Sequence, residues 1–112
     1  MNVVVLRGHV TGEVGWFESR AGVRIAGFDL VVVTPAGRDV VPVSWGDPPA
    51  WASDLTAGDT LVVRGRVRKR FARSASGTRP FTDVVAGQVV KAGRRSAVQR
   101  LLNEAADALV EP

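Results

Sequence analysis

Between Arg64 and Phe71 the chain reads Arg-Gly-Arg-Val-Arg-Lys-Arg-Phe, with an arginine at every second position: Arg64, Arg66, Arg68 and Arg70. A β-strand points successive side chains to opposite faces, so this spacing lines one face of a strand with guanidinium groups. On a helix the same four residues would scatter around the cylinder. Like charges stacked along one strand face repel each other unless an anion lies across them. Arginine also offers planar, bidentate hydrogen bonding and stacking, which suit phosphates and bases. The segment requires a β-sheet and points to a polyanion lying over it.

The rest of the chain supplies that sheet. Valine dominates, and β-branched residues favour strands. Asn2 to about Val14 reads as a first strand, in which Gly8 and Gly12 permit strong curvature or a bulge. A turn at Glu18–Gly22 leads into a second strand, Val23 to Val33, and Pro35-Ala36-Gly37 turns the chain into a third, Asp39 to Trp45. Asp47-Pro48-Pro49 then predicts a short helix with an Asp N-cap, carrying Trp51 and Leu55 on one apolar face. A fourth strand runs from Thr60 into the arginine row, and Ser74-Ala75-Ser76-Gly77-Thr78 is a flexible hairpin tip. Phe81 to Val90 is the fifth strand. The order β-β-β-α-β-β predicts a mainly β, five-stranded Greek-key barrel of the OB-fold type over residues 1–95, a fold that binds oligonucleotides or sugars on its sheet face and hairpins. In residues 96–112, Ser96 and Gln99 read as a capping box. Val98, Leu101, Leu102, Ala105 and Leu109 form one stripe of an amphipathic C-terminal helix, expected to lie on its own barrel.

Charge is distributed very unevenly. Residues 1–63 carry four arginines against seven acids, residues 64–95 carry ten basic groups against Asp83 alone, and residues 96–112 carry Arg100 against three acids. The net +4 thus conceals +9 in one third of the chain, the footprint of a nucleic-acid binder. Other classes find little support. There is no cysteine, His9 is the only histidine, and neither a metal-ligand spacing nor a nucleophile with its base is present. The reading is of a non-enzyme that needs no cofactor. Met1-Asn2-Val3-Val4-Val5 lacks the basic lead of a signal peptide, and no run approaches the roughly 20 apolar residues of a membrane span. A cytoplasmic, nucleoid-associated location is expected.

Taken in order, several short motifs resemble the bacterial single-stranded DNA-binding proteins. Asn2-Val3-Val4-Val5-Leu6-Arg7-Gly8 resembles their first strand, Ala26-Gly27-Phe28-Asp29-Leu30 the second, and Val43-Ser44-Trp45-Gly46 the end of the third. Ala57-Gly58-Asp59 with Val63-Arg64-Gly65-Arg66-Val67 resembles the turn and fourth strand, and Thr82-Asp83-Val84-Val85-Ala86 the fifth. The resemblance covers about residues 2–91. It implies an OB-fold homo-oligomer, usually a tetramer and otherwise a dimer, that coats single-stranded DNA in replication, recombination or repair. On that reading Trp45 matches a base-stacking aromatic, Phe71 lies near a second, and Arg66, Arg68 and Arg70 fall at groove positions. Three departures stand out. The turn at Pro35-Ala36-Gly37 is short, no aromatic occurs in Arg38–Val41, and Val110-Glu111-Pro112 replaces the family's acidic tip. Recruitment of replication enzymes is therefore not expected, whereas DNA coating is.

The candidate nucleic-acid contacts are Arg64, Arg66, Arg68, Lys69, Arg70, Phe71, Arg73, Arg79 and Phe81, with Trp45, Trp16 and Arg7. Aromatics would stack on bases while arginines neutralise phosphates. Phe17 is a further aromatic candidate. Phe28 reads as core, Trp51 as a plug of the barrel, and Trp45 as either platform or core, with the resemblance favouring DNA. Two other functions fit the same residues: an RNA-binding OB-fold, or an oligomeric adaptor whose C-terminal helix is the partner surface.

Overall fold

A computed structural model describes residues 1–111. The elements are β1 (Val4–Glu18), β2 (Arg24–Thr34), β3 (Gly37–Gly46), a 3-10 turn (Ala50–Asp54), β4 (Thr60–Ser74), β5 (Gly77–Lys91) and α1 (Arg95–Val110). The strands close into a barrel in the order β1-β2-β3-β5-β4, with β3 and β5 parallel and the other pairs antiparallel. This is the OB-fold predicted from the element order.

Strand β1 closes the barrel by serving two neighbours. Its first half pairs with β4 (Val4 with Gly65, Gly8 with Leu61) and its second half with β2 (Gly15 with Gly27, Phe17 with Ile25). The switch needs a sharp bend. Gly12, at φ 73°, supplies it within a register shift between Thr11 and Gly15. Gly8 is required for a different reason: a Cβ there would overlap the Val31 carbonyl oxygen.

Inward alternation then builds the core. Val10, Phe28, Leu30, Val43, Trp45, Leu61, Val63, Val84 and Val89 fill the barrel, and Ala52 of the 3-10 turn and Leu55 just after it close one end. Trp51 lies against Trp45 with ring centroids 5.3 Å apart. Helix α1 rests on β4 and β5 through Leu101 and Ala105, both buried. Two local expectations differ from the structure. The segment after Asp47 is a single 3-10 turn capped by Pro49, because consecutive prolines hold Asp47 and Pro48 outside helical pairing. The capping box at Ser96 is not used either. The helix begins two residues earlier, at Arg95 with Arg94 as its N-cap, so Ser96 is already helical and Gln99 donates to Asn103 instead.

The hairpin of β4 and β5 extends well beyond the barrel wall. At its base β5 carries one extra residue, Gly87, because Arg64 pairs with Gln88 and Gly65 with Ala86. Gly65 lets the strands meet there, since a Cβ would overlap the Val85 carbonyl oxygen and stand 3.0 Å from Val84 Cγ1. Asn2 ties the same point down: its side-chain amide donates to the Val67 carbonyl at 2.7 Å and accepts from the Val67 N–H at 2.9 Å. Gly65→Ala is expected to lower stability by about 1–3 kcal/mol. Gly87→Ala, with its nearest neighbour at an ordinary 3.8 Å, should cost much less. Thermal melts of the two variants check this.

Candidate nucleic-acid interface

The register places Arg64, Arg66, Arg68 and Arg70 on the outer face of β4, opposite Gln88, Val85, Asp83 and Phe81. The anion that such a row demands is provided by the protein itself. Asp83, 3% exposed, takes two hydrogen bonds from Arg68, at 3.1 Å to Oδ1 and 2.8 Å to Oδ2, and lies 3.6 Å from Arg70. Arg64 is also engaged, donating to Gln88 at 3.2 Å and reaching Glu104 of α1 at 4.0 Å. Among the described residues Arg66, Lys69, Arg73 and Arg79 make no ion pair. The row is thus divided into internally compensated members and free ones, which the period-2 spacing alone does not reveal.

The pKa values follow that geometry. Burial works to raise the Asp83 carboxyl, but the Arg68 hydrogen bonds and the charges of Arg68 and Arg70 outweigh it and hold it below the ordinary carboxylate range. The hydrogen bond to Asp83 in turn raises Arg68. A depressed folded-state pKa means that the clamp contributes fully above the unfolded value of about 3.9 and is lost as pH falls through the lower folded value. Wild type should therefore lose about 1–2 kcal/mol more than Asp83→Asn on acidification below pH ~4, the worth of hydrogen bonds between charged groups at a partly exposed site. Melting temperatures of both proteins across that range measure the difference.

Beside the clamp, a shallow groove of about 390 Å³ crosses the outer face of the sheet. Its floor is nearly bare: Gly15, Gly27 and Ser44 are register partners on β1, β2 and β3. Neither Gly15 nor Gly27 has a positive φ, so glycine serves space here rather than backbone conformation. Phe17 leans over Gly27, its Cε1 3.3 Å from where a Cβ would stand. Phe81 forms the far wall with Arg70, whose guanidinium lies 5.6 Å from the ring centroid. Phe17 and Phe81 are 49% and 38% exposed, so both rings are accessible from solvent. Glu13, Asp29 and Asp83 complete the lining.

The structure reassigns several sequence candidates. Trp45 is a core residue. It is 5% exposed and turned into the barrel, because its register partner Ala26 faces the core. Trp16, which also pairs with Ala26, turns inward as well, and Arg24 covers its ring at 3.8 Å. Its neighbour Phe17 takes the outward position. Phe71 is 68% exposed but stands on the opposite face of the hairpin from Arg70 and Phe81, with Lys69 and Arg73. Arg7 is exposed on the first half of β1, opposite Val62, and does not line the groove. Among the described residues no three His, Cys, Asp or Glu side chains come together to hold a metal ion.

No protein-family model and no curated protein sequence matches the chain. Solved structures do. The dimeric N-terminal domain of the PriB protein from Thermoanaerobacter tencongensis superposes with a TM-score of 0.64 at 19% identity, over 80% of this chain and 94% of that one. A deletion mutant of the single-stranded DNA binding protein from Thermus aquaticus gives a TM-score of 0.67 at 26% identity, over 81% of this chain. The chain resembles the bacterial single-stranded DNA-binding proteins over about four fifths of its length. It spans 40% of the Thermus single-stranded DNA binding protein's length, so the likeness concerns the barrel and not that protein's remaining segments.

Proposed function

We propose that this chain is a non-catalytic, sequence-tolerant single-stranded DNA-binding protein that coats and protects unwound strands in replication, recombination or repair, close to the nucleoid and as a homo-oligomer. The observation that carries the reading is the groove itself, where two exposed phenylalanines border a nearly bare floor, beside a hairpin rich in unpaired cations. Every base presents a π-face, so stacking on Phe17 and Phe81 tolerates any sequence. Phosphates on the outer side of the strand would meet Arg66, Arg70 and Arg79, and a strand passing around the hairpin would also meet Lys69, Phe71 and Arg73. The likeness to the Thermus single-stranded DNA binding protein supports the ligand class, and the dimeric PriB domain supports an assembly of copies; a dimer or a tetramer is proposed.

Fluorescence anisotropy of a labelled mixed-sequence strand, titrated at several salt concentrations, tests this. Single-stranded DNA should bind more tightly than the matched duplex or RNA. The slope of log K against log salt should be about −3, from roughly four neutralised phosphates at −0.7 each. Failure to bind single strands even at low salt, or tighter binding of the matched RNA, would overturn the assignment. Indole quenching is a poor substitute for anisotropy, since Trp16, Trp45 and Trp51 all turn away from the groove.

A further inference from the structure

The hairpin is basic, but the groove it borders is not. Glu13, Asp29 and Asp83 line it against Arg70 alone. Asp83 is occupied by Arg68 and Arg70, whereas among the described residues Glu13 and Asp29 form no ion pair and no side-chain hydrogen bond. Both are exposed. Two unpaired carboxylates at the rim of a nucleic-acid groove disfavour any phosphate there, so a strand must turn its bases inward and its backbone towards the hairpin. An ionised carboxylate only accepts hydrogen bonds. The base edges that suit it are those with exocyclic amino groups, above all the cytosine N4 amine. Thymine instead presents two carbonyl oxygens flanking a single N–H, and a carbonyl facing a carboxylate is repulsive.

We infer that the Phe17–Phe81 groove carries a base preference, favouring cytosine over thymine, and that Asp29 and Glu13 determine it. The inference rests on the proposed single-stranded DNA function and refines it. Stacking supplies sequence tolerance, and the carboxylates superimpose a bias wherever a base lies on the glycine floor. Asp29 lies two residues beyond Gly27 on β2 and beside Pro42 of β3, on the same face as the glycine floor over which Phe17 leans.

Competition of dC and dT oligonucleotides of equal length, at neutral pH and fixed salt, tests this on wild type and on the Glu13→Gln/Asp29→Asn double variant. Neither residue is buried, so both proteins should melt alike, and the readout is the ratio of the two affinities rather than either alone. In wild type dC should bind roughly tenfold more tightly, the scale of one specific base-edge contact. The double variant should bring the ratio close to one while strengthening both complexes through the lost negative charge. Equal affinities in wild type, or tighter dT, would overturn the inference and leave the DNA reading standing. A dC preference that persists in the variant would also overturn it, tracing the bias to stacking. No binding of either oligonucleotide would overturn the function and the inference together.

Discussion

Replacing Phe17 and Phe81 together by alanine is expected to weaken single-stranded DNA binding by about 2–6 kcal/mol, at roughly 1–3 kcal/mol for each stacked base. The protein should remain folded. Both rings are substantially exposed, and neither belongs to the barrel core. Anisotropy titrations beside thermal melts separate the two effects. Phe71→Ala serves as the internal comparison, because Phe71 is the most exposed of the three and lies on the other face of the hairpin. If exposure alone determined stacking, Phe71→Ala would cost most. If the groove determines it, Phe81→Ala costs most, and Phe71→Ala costs only what a strand wrapped around the hairpin would lose. A double variant that binds like wild type would remove the groove from consideration and return attention to the Lys69–Phe71–Arg73 face.

The sequence discloses the architecture well, because its signals are local. The arginine alternation fixes β4 and its outer face, the Pro-Ala-Gly turn joins β2 to β3, and Gly12 supplies the predicted bend. The site is less legible, because it depends on phase and on partners distant along the chain. Trp16 and Phe17 are adjacent, and which of them faces outward is decided by the register shift between Thr11 and Gly15; simple alternation cannot be carried through a bulge. The neutralisation of Arg68 comes from across the hairpin, fifteen residues away. Asp83 was nevertheless conspicuous as the single acid among ten basic groups. An isolated carboxylate in a basic stretch of strand is a signal that part of the charge is answered internally. Gly15 and Gly27 gave no signal, since glycine in a strand suggests a bulge or a tight backbone contact before it suggests an open floor.

Trp45 illustrates how a short motif can outweigh better local information, and it carries the second large prediction. The stretch Val41-Pro42-Val43-Ser44-Trp45 alternates apolar with small or imino residues, which already places Trp45 on the side of Val41 and Val43. The structure agrees: Val43 is 3% exposed, and the indole packs over Trp51, at an interplanar angle of 58°, next to Ala52 of the turn closing the barrel and Leu55 just after it. Trp45→Ala should therefore destabilise the fold by about 3–5 kcal/mol, the cost of opening a large cavity, and reduce DNA binding only by depleting folded protein. Trp45→Phe distinguishes the two roles. A buried aromatic exchanged for a smaller one should cost on the order of 1 kcal/mol in chemical denaturation while leaving the affinity of the folded protein unchanged. A stacking platform would behave in the opposite way, with unchanged stability and weakened binding. Trp51, in contact with Trp45, should couple to it: the two alanine substitutions share one cavity, so their combined cost should differ from the sum of the single ones. A simple sum would mean that the two indoles stabilise the barrel independently, and the closing turn would then owe its position to Ala52 and Leu55 rather than to the tryptophan pair.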